Sequence, residues 1–386
     1  MSEFHVHRSP LGPNAALIGK PGSRHELATP CLVLDRARLQ RNIDKAAAHA
    51  KRTGVALRPH AKSHKSADIA KLQIAAGAQG VCVATVGEAE ALWSAGVSDL
   101  LITSNFTQEN KIARVVALAR AGCRLAIVAD DPAVVDRISI AAGAAGVTLD
   151  TLIDVDLGRM RGGVASPAQA LAVAARIAAS PNLKFAGIQT YASLISHTPG
   201  YAERLAQSIT STAKINEIKA ALESAGHPVA RVTGGSTGTL LIDPAMHCYT
   251  ELQAGSYVFN DVEYMGVDLD GAHTPVFEPA LFVAVSVIGR NVQGRVACDG
   301  GNKHFSAKGT LPAFAHPPAA GAIYRPDSDE HGIVELPPGA DQPALARVFE
   351  LIVPHCDPTV NLYGHFHVVD GDTLTAIWPI DARGAF

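Results

Sequence analysis

The sequence predicts an α/β fold, a (β/α)8 barrel followed by a C-terminal all-β domain. Between Ala28 and Asp270, short apolar or β-branched runs alternate with Ala-rich helical stretches about eight times, the number that closes a parallel barrel. Beyond Asp270 the helical periodicity fades, and apolar runs are separated by Gly, Pro and Asp turns. At 386 residues and 47% hydrophobic, the chain is long and apolar enough for two domains. Residues 28–270 are expected to form the barrel and 271–386 the β domain, with residues 1–27 packing on the latter.

After an opening run Thr29 to Asp35, barrel strands are expected near Val55 to Pro59, Gly80 to Ala84, Leu100 to Ser104, Leu125 to Ala129, Thr151 to Asp156, Phe185 to Tyr191, Arg231 to Thr233 and Leu252 to Phe259. Ser166 with Pro167 reads as an N-cap followed by a first-turn proline, and Gly122 and Gly226 sit where helices should stop. No GxGxxG follows the opening run, so an open dinucleotide-binding sheet ranks below the barrel. In the second domain, strands are expected at Leu281 to Val287, Gly294 to Cys298, Ile333 to Leu336, Val348 to Val353, His365 to Val369 and Thr373 to Trp378.

Composition excludes several classes. The net charge of −3 gives no basic field for nucleic acid or an anionic membrane. The longest apolar stretches are soon interrupted by Arg, Gly or Asp, short of the roughly 20 residues that cross a bilayer. Met1 to Lys20 has no apolar core of the kind a secretory signal carries, so a soluble cytoplasmic protein is expected. The six cysteines show no CxxC pair, which favours reduced thiols.

Three motifs could carry chemistry. The first expected barrel strand ends in Arg58-Pro59-His60-Ala61-Lys62-Ser63-His64-Lys65. Strand alternation points His60 and Lys62 to one side, and a lysine at a barrel mouth can be desolvated enough to serve as a Schiff-base amine. A surface basic cluster is the alternative reading. The seventh strand runs into Thr233-Gly234-Gly235-Ser236-Thr237-Gly238-Thr239, whose backbone N–H groups and hydroxyls suit a phosphate, with Gly255 and Ser256 able to complete the cradle. Tight turns need glycine in any case. The third motif is Pro354-His355-Cys356-Asp357-Pro358. If Pro358 holds Asp357 extended, His355 and Asp357 share a face that suits a divalent ion, and Cys356 faces away. A structural His–Asp hydrogen bond is the alternative. Arg159 and Arg161 lie just past the run Thr151 to Asp156, Gln189 and Tyr191 share a face at the end of the run Phe185 to Tyr191, and His197 follows in its loop.

Together these motifs resemble the D-threonine aldolase and D-serine dehydratase-like group of fold-type III pyridoxal phosphate enzymes, relatives of alanine racemase. The resemblance runs from Thr29-Pro30 to Trp378-Pro379 and keeps the family's motif order. It implies that Lys62 forms the Schiff base with pyridoxal 5'-phosphate and that Gly234, Gly235 and Ser236, helped by Gly255 and Ser256, take the phosphate. It places Arg161 near the ring hydroxyl, Gln189 and Tyr191 in the cofactor site, His197 as the base, and His355 with Asp357 as the metal pair. The His-x-Asp spacing resembles the aldolase branch, whereas the dehydratase branch has His-x-Cys. Many relatives carry Gly after the strand-end Tyr, where this chain reads Tyr191-Ala192-Ser193.

The implied activity is retro-aldol cleavage of a D-3-hydroxy amino acid to glycine and an aldehyde, with Mn2+ the first choice of metal and Zn2+, Mg2+ or Co2+ as alternatives. A homodimer is implied as well. The alternatives are a D-serine or D-threo-3-hydroxyaspartate dehydratase of the same family, a racemase, and a non-catalytic pyridoxal phosphate carrier. A carrier needs the lysine and the phosphate turn but has no use for a metal pair or a second domain.

Overall fold

A computed structural model of the chain describes residues 11–306 and 309–386. The chain forms β1 (Cys31–Asp35), α1 (Arg36–Thr53), β2 (Ala56–Leu57), α2 (Ala67–Ala75), β3 (Val81–Val83), α3 (Val86–Ser94), β4 (Asp99–Ile102), α4 (Glu109–Arg120), β5 (Arg124–Ala129), α5 (Pro132–Ala145), β6 (Leu149–Val155), α6 (Pro167–Ala178), β7 (Leu183–Thr190), α7 (Tyr201–Ser224), β8 (Val232–Gly234) and β9 (Glu251–Leu252). After α8 (Val262–Met265) come β10 (Leu281–Gly289), β11 (Arg295–Cys298), β12 (Ala313–Phe314), β13 (Ile323–Pro326), β14 (Gly332–Glu335), β15 (Val348–Ile352), α9 (Cys356–Val360), β16 (His365–Asp370) and β17 (Thr373–Pro379). Among the described helices none is long and apolar enough to cross a membrane.

The chain divides into two compact units, one holding the described chain through Asn42, Val258–Glu263 and Phe277–Arg383, the other Ile43–Tyr257, Tyr264–Val276 and Gly384–Phe386. The second unit is the barrel. Its 8-stranded parallel sheet runs in the order β2-β9-β8-β7-β6-β5-β4-β3. A parallel bridge between His60 and Cys82 joins the two ends, with Cys82 N–H donating to Pro59 O at 2.9 Å. The strands are buried on both faces, as covered parallel strands must be. Helix ends follow local chemistry. Ser166 accepts from Gln169 N ahead of Pro167, and Asp131 accepts from Ala133 N ahead of Pro132. Gly122 and Gly226, just past α4 and α7, take positive φ.

The other unit is built on a 9-stranded sheet with the path β13-β14-β11-β10-β1-β16-β17, to which β15 adds by pairing with β10 and β12. Here the sequence-derived boundary needs correction. The opening run from residue 28, expected with the barrel, is β1 of this sheet, antiparallel to β10 and parallel to β16. All five residues of β1 are buried, and the first four, Cys31 to Leu34, are an uninterrupted apolar run that suits either kind of sheet. Leu11, Ala15, Leu17 and Leu27 pack on the same core, beside Phe282, Ile352 and Leu374. Residues 1–10 of the expected N-terminal packing segment lie outside the described residues. Two strands escaped the pattern: β12 has only two residues, and β13 is an edge strand ending in Pro326.

Gly187 shows how tightly the barrel is built. It lies in β7 where the register to β6 shifts by one residue, at φ 127°, and a Cβ there would run into the carbonyl of Arg231. Gly187→Ala is expected to cost about 3 kcal/mol of stability through backbone strain and collision, seen as a lower urea midpoint at unchanged m-value.

Candidate active site

Lys62 lies in a short turn, Ala61–Ser63, directly after the barrel's first strand. The turn is held by its neighbours: His60 Nδ1 accepts from Lys62 N at 3.4 Å, while His60 Nε2 meets Thr103 Oγ1 at 3.0 Å past the end of β4. Lys62 Nζ stands 5.0 Å from the centre of the Tyr191 ring, and the Arg161 guanidinium stands 5.5 Å from the same ring. Tyr191 thus gathers an amine from one loop and a guanidinium from another. The nearby Lys65 is committed elsewhere. Its Nζ pairs with Glu88 Oε1 at 2.6 Å, the two side chains being 9% and 4% exposed, and Glu88 Oε2 accepts from Ala84 N. Withdrawing Lys65 to react would strand a buried carboxylate.

Asp154, on β6, completes this end of the barrel. Its carboxyl accepts from Gln189 Nε2 at 2.7 Å and from Asn105 Nδ2 at 3.1 Å. Burial, reinforced by Asp130 and Asp156, pushes its pKa up to about 7, against the opposing pull of Arg161 and the Asn105 bond. Because Gln189 spends its amide N–H on Asp154, its buried Oε1 is left with no hydrogen-bond partner among the described residues, and the buried Thr190 Oγ1 is in the same position. Gln189 Oε1, on the same strand face as Tyr191, suits the polar ring or substituents of a cofactor.

The Gly/Ser/Thr loop closes tightly on itself. Ser236 N donates to Thr239 Oγ1 at 3.1 Å, Thr239 Oγ1 donates to Asp243 Oδ2 at 2.6 Å, and Tyr257 N donates to Thr237 Oγ1 at 3.0 Å. A Cβ at Gly235, whose φ is 76°, would stand 2.5 Å from Asp243 Oδ2, and one at Gly255 would stand 2.7 Å from His60 O. Only glycine lets the backbone lie this close, and Ser256 begins a short 3-10 turn beside it. Burial pushes Asp243 up to about 7, against its hydrogen bond from Thr239. A carboxyl that is only partly ionised near neutral pH repels an anion held by the loop less than a full carboxylate would. This cradle of amides and hydroxyls fits a phosphate. His197 follows β7 and packs its ring on Tyr264, centroids 4.5 Å apart and tilted by 36°.

The His-Cys-Asp motif lies in the other unit, and its local structure differs from the extended segment expected. His355 is extended, but Cys356 opens α9, so Asp357 and Pro358 fall in the helix's first turn. Proline is tolerated there because first-turn N–H groups have no intrahelical partner to lose. Strand alternation therefore does not apply, and Cys356 does not face away. Its Sγ, His355 and Asp261 bring ligand atoms within 4.8 Å of one another. Asp261 Oδ2 contacts His355 Nδ1 at 3.0 Å and accepts from Cys356 N at 2.8 Å, and Glu263 Oε2 lies 3.4 Å from the same ring nitrogen. Asp357 stands alongside, its Oδ1 accepting from the Cys356 thiol at 3.3 Å. Burial alone would lower the pKa of His355, yet the Asp261 bond and the charges of Asp357, Asp261 and Glu263 hold it above its ordinary value. Carboxylates gathered around an imidazole in this way suit a divalent cation. A carboxylate on Nδ1 is also the usual means of turning Nε2 toward a metal.

Sequence reasoning missed Asp154, Glu88 and Asp261. Asp154 had a readable signal, a carboxylate inside an otherwise apolar strand run. Asp261 had none: it reaches His355 because Val262 N donates to Val353 O and Glu263 N to Pro354 O, a pairing of segments about ninety residues apart.

A barrel with a lysine, a phosphate-shaped loop and a separate β unit defines the class, and comparison with known proteins supplies the family. Residues 34–262 match the family described as alanine racemase, N-terminal domain, and residues 280–369 match the putative serine dehydratase domain. The chain belongs to this family. It is 38% identical to a D-threonine aldolase of Arthrobacter sp over 96% of both chains, and 35% identical to a 3-hydroxy-D-aspartate aldolase of Paracoccus denitrificans (strain Pd 1222) over 93% of both. The crystal structure of D-threonine aldolase from Filomicrobium marinum superposes with a TM-score of 0.90 at 34% identity, covering 93% of this chain and 97% of that one.

A carboxyl whose pKa rises from 3.8 in the unfolded chain to about 7 in the folded protein is ionised first in the unfolded state, so stability falls as pH rises through that window. Asp154→Asn removes this cost. In cofactor-free protein, the melting temperature of the variant relative to wild type is expected to rise between pH 4 and pH 8, and a pH-independent difference would contradict the assignment.

Proposed function

We propose that this chain is a D-threonine aldolase dependent on pyridoxal phosphate and a divalent metal, cleaving D-3-hydroxy amino acids to glycine and an aldehyde. The observation that carries the reading is the convergence of Lys62 and Arg161 on the Tyr191 ring at the barrel rim, next to a Lys65 held in an ion pair by Glu88. Bound pyridoxal phosphate supplies an electron sink for the pair left when the bond between Cα and Cβ breaks, and a bound divalent ion supplies a Lewis acid.

Lys62 offers the amine that carries the cofactor. Tyr191 and Arg161 orient the ring, Gln189 holds its amide toward it through Asp154, and Gly234, Gly235, Ser236, Gly255 and Ser256 receive the phosphate. His197 takes the proton from the substrate hydroxyl. In the β unit, His355 and Asp357 hold the metal, with Asp261 fixing the imidazole through Nδ1. We take Mn2+ as the ion, a homodimer as the assembly and the cytoplasm as the compartment. A non-catalytic carrier would have no use for the carboxylate-rich cluster around His355.

Incubation with D-threonine is expected to release glycine and acetaldehyde, and 2-oxobutanoate as the sole product would instead make the chain a dehydratase. Lys62→Ala is expected to abolish the visible absorption of the bound cofactor while Lys65→Ala retains it. In titrations with Mn2+, Asp261→Asn is expected to weaken binding by about 10- to 100-fold. Asp357→Ala should weaken it too, and Cys356→Ala should leave it unchanged. Metal loss in Cys356→Ala with Asp357→Ala unaffected would replace the His355–Asp357 pair by Asp261, His355 and Cys356.

A further inference from the structure

The barrel end formed by the strand starts, opposite the rim that carries Lys62, gathers charge of its own. Asp99 opens β4, Arg124 opens β5, Arg231 immediately precedes β8, and Gly80 immediately precedes β3. Arg58 turns its buried side chain toward this end, donating from Nη1 to Asp99 Oδ1 at 2.5 Å and from Nε to Glu251 Oε2 at 3.0 Å. Gly80 makes room for it, since a Cβ there would collide with the Arg58 guanidinium. With Ser98, Asp99, Arg124 and Arg231, these residues line a cleft of about 500 Å3.

The charges in and beside this cleft do not balance. Asp99 is shared, its Oδ1 taken by Arg58 and its Oδ2 by Arg124 Nη2 at 2.5 Å. Glu251 is engaged by Arg58 and by the Thr233 hydroxyl. Three guanidiniums therefore face two carboxylates, and Arg231 makes no ion pair among the described residues. Its Nη1 is buried with no hydrogen-bond partner there. A guanidinium has five donors in a fixed fork, and Arg231 lines the cleft with a fork that no described residue engages, leaving its cleft-facing donors to an oxyanion. Arg124, whose side chain is 75% exposed, stands at the cleft with donors to spare.

We propose that this cleft is a second binding site, for a small phosphate-class oxyanion held between Arg231 and Arg124. The chemistry is that of a phosphate dianion, whether inorganic phosphate or a small phosphate monoester, because a planar fork matches paired phosphate oxygens and the cleft carries surplus positive charge. The cleft exceeds what a bare phosphate fills, leaving space for a small organic group. The inference concerns the strand-start end of the barrel alone, and it draws on the cofactor reading only for filling the rim loop in its test.

The test is thermal denaturation of the cofactor-loaded protein, in which the Gly234–Thr239 loop is already filled, titrated with inorganic phosphate and with glycerol 1-phosphate at constant ionic strength against chloride. A saturable rise in melting temperature is expected, with apparent affinity about tenfold weaker in Arg231→Gln and in Arg124→Ala. The exposure of Arg124 keeps the second variant foldable if the first is not. Ser236→Ala should leave the response unchanged. Tighter binding of the ester identifies an organic phosphate as the ligand, and tighter binding of inorganic phosphate identifies the free ion. A response matched by chloride, an affinity unchanged in the arginine variants, or a loss confined to Ser236→Ala overturns the proposal.

Discussion

Closure of the parallel sheet through the His60–Cys82 bridge is the constraint on which the barrel's chemistry depends. Parallel strands bring all their C-terminal ends to one rim, so loops far apart in sequence must meet there. The bridge lies two residues before Lys62 and anchors the turn that carries it. Tyr191, past the end of another strand, then meets that lysine, and Arg161 from a third loop meets the same Tyr191 ring, with no contact encoded locally. The opposite rim is organised by the same closure, since Arg58 can bridge Asp99 and Glu251 only if β2 lies between β3 and β9.

Charge placement separates residues that hold the fold from residues available for chemistry. Lys65 with Glu88, and Arg58 with Glu251, are buried pairs whose partners are mutually required. Asp154 and Asp243 are different: each is buried without a cationic hydrogen-bond partner, and both are pushed toward neutrality by desolvation. Asp154 lies beside Gln189 and Asp243 beside the Gly/Ser/Thr loop, where a carboxyl that is only partly ionised near neutral pH opposes an anion less than a full carboxylate would. In the β unit the balance is reversed. Asp261, Glu263 and Asp357 surround His355 with negative charge, an arrangement that is costly without a cation and favourable with one.

The barrel strands were legible because each is a short apolar run bounded by turn residues, and the count alone implied closure. The Ser166–Pro167 cap and the glycines after α4 and α7 were legible for the same local reason. β1 was not, because a strand buried on both faces carries no mark of the sheet it joins. The His-Cys-Asp motif was legible as a group of ligand-type side chains but not as a shape. A rule for the residue before proline suggested extension, whereas the first turn of α9 accommodates Pro358 at little cost.

The sequence by itself determined the alternation that makes a barrel, the residue types that can carry an amine, a phosphate and a cation, and the order in which they occur. Tertiary structure alone decided that Lys65 meets Glu88, that Asp261 contacts His355, and that Arg231 has no carboxylate to meet among the described residues. The physical reason is that composition and periodicity report how each segment buries itself. Pairing between charges depends on which distant segments the closed sheet and its connections bring within hydrogen-bond reach.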